Sequence, residues 1–279
     1  MRKSIILLVT LILAEFQVNA SEPVSARVQG MGGAGVALPT DVSAVYWNPA
    51  GLYLQNRMAM DFSFRFDELN LPDNWGFSYL NYSRSTRHGA GLGIYRFLDK
   101  GHLDGGNALA ILMATVYKTP IGLPVGLSFK YINERWSDED REGYWTGDLG
   151  FLLPYGPWLF SACVQSITHP GSHLVPYRIL TGLSWTMNGK ITAAVQGSAL
   201  EWEDLQDFDL PEWRIGAEIR LSDSFAGQGG WVSAGSDEYW TFGLSIIQKR
   251  RARLSCAYHW YPTGGNNDRF YLSYGYFLQ

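Results

Sequence analysis

The sequence has little charge, little cysteine and no obvious basic surface. Charged residues make up 17% of the 279 residues, against roughly 25% in ordinary soluble domains. The net charge of −4 and the absence of a basic stripe exclude the composition typical of a nucleic-acid-binding protein. Two cysteines are too few for a disulfide-rich scaffold or a cysteine-based zinc cluster.

Aromatic residues and glycine are abundant instead. Aromatics make up 15% of the chain, and there are 31 glycines. A disordered chain is poor in aromatics and rich in charge, so this composition argues for a folded protein. It favours an all-β fold rich in glycine and aromatic side chains.

Residues 1–20 have the order of parts that is typical of a secretory signal peptide. Arg2 and Lys3 precede a mostly apolar run over 4–14, and small residues at 18–20 offer a cleavage site. The run is too short for a membrane anchor, which needs about 20 apolar residues. After residue 20 no apolar stretch reaches that length, so a membrane-embedded form would have to be a closed barrel.

Alternating apolar and polar residues predict strands along most of the remaining chain. In 57–66, Phe62 and Phe64 fall on one face, and Asp61 and Arg65 fall on the other. The same pattern predicts strands at 124–134, 212–221, 238–247 and 251–260. Weaker patterns predict strands near 75–84, 88–98, 108–117, 144–153, 158–167, 177–187, 190–200, 230–236 and 268–279. The total is about fourteen strands, each of roughly the length of a membrane strand.

A transmembrane antiparallel β-barrel explains these strands better than a secreted sandwich does. The apolar faces end in aromatics such as Tyr258 and Trp260, as expected of an aromatic girdle. The opposite faces mix charged residues with glycine and serine, which predicts a polar lumen. The charged residues expected to face it are Arg57, Asp61, Arg65, Lys130, Glu134, Asp148, Arg214, Glu218 and Arg253. We therefore expect export to the outer membrane of a Gram-negative-type bacterium, with outer-membrane lipid and the barrel assembly machinery as partners.

The segment before the first strand carries a glycine motif, GMGGAG at 30–35. It matches the dinucleotide fingerprint formally, but no strand precedes it and no βαβ unit surrounds it, which excludes that reading. Gly30, Gly32 and Gly35 instead predict close backbone packing in a crowded space.

A single helical turn is predicted over 41–47, capped by Thr40 or Asp41. It ends at Asn48, because the residue before a proline is pushed out of the helical region. Gly51 is then expected to permit the turn into the first strand.

The run GMGGAGVALPTDVSAVYWNPAGL over 30–52 closely resembles the amino-terminal signature of the FadL/PorV superfamily of outer-membrane barrels. Its YWNPAGL form is more similar to the PorV/PorQ branch. The segments TGDLGFLL at 146–153, YRILTGLSW at 177–185 and WRIGAEIRL at 213–221 are also similar to strand motifs of that branch.

The resemblance implies a barrel of about fourteen strands over 56–279, with residues 21–55 folded inside it as a plug, or hatch. The residues expected to form the plug and its gate are Gly30, Met31, Gly32, Gly35, Tyr46, Trp47, Asn48, Pro49 and Gly51. We expect the Asn48 amide to tie the plug to the wall, with Arg57, Arg65, Arg214, Glu218 and Arg253 as candidate partners.

Two functions stay open at this point, and a third is a purely structural barrel. The resemblance to fatty-acid channels implies a plugged channel for uptake or passage of hydrophobic small molecules, opened by movement around Asn48 and Pro49. The PorV/PorQ resemblance implies a non-transporting barrel that docks secreted proteins or secretion-system subunits at the cell surface.

Catalysis, metal binding and cofactor binding have little support in the sequence. No GxSxG nucleophile motif is present, and we expect no enzyme activity, cofactor or metal. His169 and His173 share a Pro-Gly loop and are read as surface residues. Strand parity sends Cys163 to the lumen and Cys256 to lipid, so no disulfide is expected.

Overall fold

The structure is a computed structural model that describes residues 22, 24–55, 58–67, 74–83, 88–98, 106–135, 141–168, 175, 177–199, 212–234, 237–249, 251–262 and 268–278. Residues 1–20, predicted to be the signal peptide, lie outside this range. So do Arg57, His169 and His173.

The described chain forms a closed barrel of fourteen antiparallel strands, which confirms the predicted fold class and strand number. Each strand pairs with its neighbours in the chain, and β1 pairs with β14 to close the barrel. The strands are β1 (Ala59–Asp67), β2 (Asn74–Ser83), β3 (His88–Leu98), β4 (Asn107–Lys118), β5 (Pro124–Arg135), β6 (Arg141–Tyr155), β7 (Trp158–Gln165), β8 (Arg178–Met187), β9 (Ile191–Ala199), β10 (Glu212–Arg220), β11 (Phe225–Ala234), β12 (Asp237–Gln248), β13 (Ala252–Trp260) and β14 (Arg269–Phe277).

Side chains alternate between a buried inner face and an exposed outer face along the strands. In β5, Leu127 and Phe129 are exposed, while Ser128 and Lys130 are buried. This alternation follows from the two-residue period of a strand. The outer face is apolar, as a surface in contact with lipid must be.

One strand differs clearly from its prediction. The sequence pattern predicts a strand over 230–236, but β11 spans Phe225–Ala234. Gly227, Gly229 and Gly230 interrupt the apolar alternation in its first half, so the pattern does not reveal it. Strand pairing with β10 and β12 forms this part of the sheet nonetheless.

The two ends of the barrel differ in the length of their connections. At one end, which we call the short-turn end, two to five residues join successive strands. At the opposite end, the connections reach twelve residues. Bacterial outer-membrane barrels have short turns at one end and longer loops at the other, and this asymmetry is typical of that class.

The residues before β1 form two short helices and one 3₁₀ helix. The helices are α1 (Ala26–Gln29) and α2 (Ala44–Trp47), and the 3₁₀ helix spans Pro49–Leu54. The predicted helical turn therefore begins at Ala44 rather than at 41. In the described part of the chain, no helix is long and apolar enough to cross a membrane.

Candidate functional site

The N-terminal segment, residues 24–55, is almost entirely buried and contacts the inner face of the barrel. Its contacts span the sheet, because α1 touches β12, β13 and β14, whereas the 3₁₀ helix touches β2 to β6. The Ala26 amide donates to the Ser273 hydroxyl of β14 at 3.1 Å. The segment therefore lies inside the barrel, against the inner faces of the strands.

Glycines on the inner wall provide the space that the segment occupies. A side chain at Gly126 would begin 2.1 Å from the Ala50 nitrogen, and one at Gly216 would begin 2.2 Å from the Met31 carbonyl oxygen. Both distances are far below contact distance. The glycines at which an added side chain would begin within 3.1 Å of the segment, which we call the wall glycines, are Gly91, Gly126, Gly150, Gly182, Gly216, Gly230 and Gly243.

The glycine motif of the segment is held by Thr241 of β12. The Thr241 hydroxyl donates to the Gly30 carbonyl at 3.0 Å and accepts from the Gly32 amide at 2.9 Å. Gly32 has a φ of +68°, a conformation that favours glycine. Met31 between them is fully buried. The motif therefore binds the wall of the barrel.

Gly35 lies against Trp47, and a side chain there would begin 2.2 Å from the indole ring. Trp47 is buried and packs edge-on against Tyr46 at a ring distance of 5.4 Å. Gln165 of β7 donates to the carbonyl oxygens of both residues, at 3.0 Å and 3.2 Å. The parts of the segment around Gly35 and Trp47 are thus packed together.

Asn48 is fully buried and does contact the wall. Its Nδ2 donates to the Ala162 carbonyl at 3.2 Å and the Phe151 carbonyl at 3.4 Å, and its Oδ1 accepts from the Ala50 amide at 3.0 Å. The charged wall partners that the sequence suggested are therefore wrong. Main-chain oxygens of β6 and β7 are the partners because Gly150 leaves the amide room to reach the strands.

Pro49 and Gly51 lie in the 3₁₀ helix. The expectation that Gly51 opens a turn into the first strand is wrong, because the 3₁₀ helix continues to Leu54. A side chain at Gly51 would begin 2.4 Å from the Pro39 ring, so close packing within the segment requires the glycine.

One side of the interior is apolar, so the predicted polar lumen describes only part of the interior. Inward-facing residues of β2 to β5 form a single buried cluster with the segment. We call it the apolar lining; it comprises Leu80, Tyr95, Phe97, Ala108, Ala110, Leu112, Ala114, Val116 and Ile132, packed against Val45, Tyr46, Trp47 and Leu52. Strand β4 is apolar on both faces, and alternation in hydropathy therefore does not reveal its inner face.

The other side of the interior, from β10 to β14 and on β1, carries buried charged and polar side chains between smaller apolar clusters. Arg27 of α1 makes a two-point ion pair with Glu218, with Nε 2.7 Å from Oε2 and Nη2 3.0 Å from Oε1. Its Nη1 lies 3.5 Å from Asp41 Oδ2. Burial lowers the pKa of Arg27, but Glu218 and Asp41 raise it by more, so its pKa lies above the usual arginine value.

A second charged group joins the beginning of the described chain to β8 and β10. Arg214 binds Glu212 at 2.6 Å and donates to the Gly33 carbonyl at 3.0 Å. Glu22 bonds to Arg178 and lies 3.6 Å from Arg214.

A third buried pair joins β5 and β6. Lys130 Nζ lies 2.8 Å from Asp148 Oδ1, and both side chains are fully buried. Asp148 also accepts from the Ser128 hydroxyl at 2.6 Å and the Ser166 amide at 3.0 Å. The ammonium group sits 5.5 Å from the Tyr46 ring centre, which places this pair beside the segment.

The remaining charged residues predicted for the lumen lie on inner faces of the strands that the structure describes. Asp61 and Arg65 of β1 are buried, and Arg65 donates to a main-chain carbonyl of β3 at 3.2 Å. Glu134 accepts from a tyrosine hydroxyl of β6 at 2.9 Å. Arg253 points inward near the short-turn end. Arg57 lies outside the described residues.

Sequence reasoning missed several members of these networks. Arg178 and Glu212 occupy inward positions at the ends of predicted strands, so parity alone could have found them. Glu22, Arg27 and Asp41 lie outside any strand pattern, and only the folded segment brings them to their partners.

No protein-family model matches the sequence, and the search of curated proteins finds no match. Solved structures do match the fold. The Ralstonia pickettii toluene transporter TbuX has a TM-score of 0.67 at 13% identity, covering 94% of this chain and 100% of that chain. A Pseudomonas aeruginosa FadL homologue has a TM-score of 0.64 at 10% identity, covering 94% and 99%. A deletion mutant of the monoaromatic hydrocarbon channel TodX has a TM-score of 0.64 at 12% identity, covering 93% and 99%. The chain is therefore similar in fold to FadL-type barrels.

Proposed function

We propose that this protein is an outer-membrane channel for hydrophobic small molecules. The observation that carries the proposal is the apolar lining, because the inner wall of a water-filled pore is polar. Similarity in fold to TbuX and TodX, which are described as transporters or channels for hydrocarbons, supports the same class of cargo.

In this proposal the N-terminal segment, within residues 21–55, is the plug of a barrel formed by 56–279. The residues of the apolar lining are buried, so a molecule that moves along them has to displace the side chains of the segment. Tyr46 and Trp47 lie where the lining meets the segment. Asn48 holds that part of the segment to β6 and β7, and release of its hydrogen bonds is the step that opens the path.

The proposal is tested by entry of the dye N-phenyl-1-naphthylamine into intact cells that produce the protein. Ala110→Phe enlarges a buried residue of the lining, and Ala90→Phe makes the same change on the exposed outer face of β3. We expect wild type to speed dye entry, Ala110→Phe to slow it severalfold, and Ala90→Phe to match wild type.

Entry no faster than in cells without the protein would refute a channel. Equal entry in both variants, with both barrels folded, would show that the lining is not the path. The docking function that the sequence left open gains no support from the matched structures named above. Recovery of secretion-system subunits with the barrel from native membranes would be needed to restore it.

A further inference from the structure

A second feature of the interior lies away from the apolar lining, at the short-turn end. There a cavity of 510 Å³, lined by both polar and apolar residues, lies between the N-terminal segment and the barrel wall. Thr40, Asp41 and Gln55 of the segment line one side, and Arg220, Lys249 and Arg253 line the other. Since a water molecule in the liquid takes up about 30 Å³, the cavity has room for a polyatomic ion together with several waters.

Arg253 has no hydrogen-bond partner in the described part of the chain. Its Nε is buried and unsatisfied, and no described carboxylate lies within 4.0 Å of the guanidinium. The register explains this, because its inward neighbours across the sheet are Ile247 on β12 and Gly275 on β14. Neither side chain can accept a hydrogen bond. An arginine in a partly buried site ordinarily finds an acceptor.

The other two cations of the cavity are also unpaired among the described residues. Arg220 ends β10 and Lys249 lies in the turn after β12, and neither has a carboxylate within 4.0 Å. Exposed Lys190 and Arg251 lie in turns at the same end of the barrel. Three cationic side chains thus face one cavity from three different elements.

The acidic groups nearby are mostly engaged elsewhere. Asp41 accepts hydrogen bonds from Ser43 and Ser25, and it contacts Arg27. Glu218 is held at both oxygens by Arg27.

Two nearby carboxylates form no hydrogen bond or ion pair with the residues that the structure describes. Asp61 is buried on β1, and Asp223 is exposed at the rim of the cavity. Neither forms an ion pair with Arg253 among the described contacts. The described charged residues that line the cavity are three cations, Arg220, Lys249 and Arg253, and two acids, Asp41 and Asp223.

We infer that this cavity binds an oxyanion, a carboxylate or phosphate group, with Arg253 as the principal donor and Arg220 and Lys249 as supporting cations. The planar guanidinium suits two-point binding of such groups. The anion belongs either to a free ion or to the head group of an amphipathic molecule. Because Thr40 and Gln55 form the facing wall, the bound anion joins the N-terminal segment to the barrel. The inference does not depend on the proposed channel function.

The test titrates anions into the purified full-length barrel in dodecyl maltoside micelles, with heat of binding as the readout at fixed ionic strength. Inorganic phosphate and acetate represent free ions, octanoate represents a head group with a tail, and octanol is its uncharged counterpart. Arg253→Met removes the donor, and Arg251→Met removes an equal charge that lies two residues away, is exposed and does not line the cavity. Heat-modifiable migration reports that each variant is folded.

We expect at least one of the three oxyanions to bind, with affinity reduced at least tenfold by Arg253→Met and unchanged by Arg251→Met. Tighter binding of octanoate than of acetate identifies a head group as the source, and equal binding identifies a free ion. No binding to wild type, equal loss in both variants, or binding of octanol as tight as that of octanoate would overturn the inference. If Arg253→Met does not fold, the affinity of Lys249→Met decides instead, because Lys249 lies in a turn and its replacement leaves the strands unchanged. Binding at least threefold weaker than in wild type supports the inference. Unchanged affinity overturns it.

Discussion

Asn48 binds main-chain atoms of the wall, and this distinguishes it from the charged residues around it. The carbonyls of Phe151 and Ala162 face each other in the β6–β7 pairing. Because the Asn48 amide binds main-chain oxygens, substitutions of the side chains at those two positions should leave its hydrogen bonds in place. The anchor depends instead on Gly150, which leaves the space for the amide.

Replacement of Asn48 by alanine should loosen the segment while the barrel stays folded. The variant loses the bond to the Ala50 amide and both bonds to the strands, and it leaves buried polar groups without partners. Such a loss costs about 1–3 kcal/mol. We expect faster proteolysis within residues 27–52 and higher single-channel conductance in planar bilayers. Asn133→Ala, on the exposed face of β5, is the control; equal effects of the two variants would contradict the role of Asn48 as an anchor.

The buried pair of Lys130 and Asp148 predicts an asymmetric response to mutation. Lys130→Met leaves the Asp148 carboxylate uncompensated in the interior, which costs about 3–5 kcal/mol. Adding Asp148→Asn removes that charge, so the double variant should be more stable than the single one. Denaturant titration in micelles measures both, and a double variant that is less stable than Lys130→Met would contradict the prediction.

At the scale of elements, the wall glycines determine where the segment can lie. A methyl group at Gly126 would begin 2.1 Å from the main chain at Ala50, and only movement of the 3₁₀ helix relieves the clash. Gly126→Ala should therefore displace the segment and raise its susceptibility to protease. Gly227→Ala adds the same methyl group where nothing lies within 4 Å, and it should behave as wild type. Protection of the segment in Gly126→Ala equal to that in wild type would mean that the segment does not rest on this glycine.

The outer face of β1 offers a test of strand orientation. Phe62 is 41% exposed and pairs with Phe77 and Tyr274 near the middle of the strand. Phe62→Arg should destabilise the barrel by about 2–4 kcal/mol, as arginine does at the lipid midplane. Phe62→Leu keeps the face apolar and should cost far less. Unfolding midpoints that shift equally in the two variants would contradict a lipid-facing Phe62.

The sequence predicts the strands well because alternation is a local signal, and it predicts the interior poorly because interior contacts are distant in the chain. Arg27 and Glu218 are 191 residues apart, and no spacing rule joins them. Apolar residues on both faces of β4 and glycines in β11 also remove the contrast that alternation needs. The site residues near Asn48 came from resemblance in sequence, which identified the segment but not its wall partners.

For the whole molecule, we expect fractionation with the outer membrane and a shift in gel migration on heating. The closed ladder of strands leaves no free sheet edge, so the barrel should resist detergent until heat separates the strands. Recovery as a soluble periplasmic monomer would contradict this. The measurement separates membranes on a sucrose gradient and compares the gel migration of boiled and unboiled samples of each fraction.

The bond between Ala26 and Ser273 joins positions 247 residues apart, and it constrains the order of biogenesis. The segment emerges first during synthesis, but its last partner belongs to the final strand. Helix α1 therefore cannot take its final position until β14 is made and pairs with β1. Placement of α1 and closure of the seam between β1 and β14 are then late, coupled events in assembly, and a chain stopped before β14 should leave the residues around Ala26 open to protease.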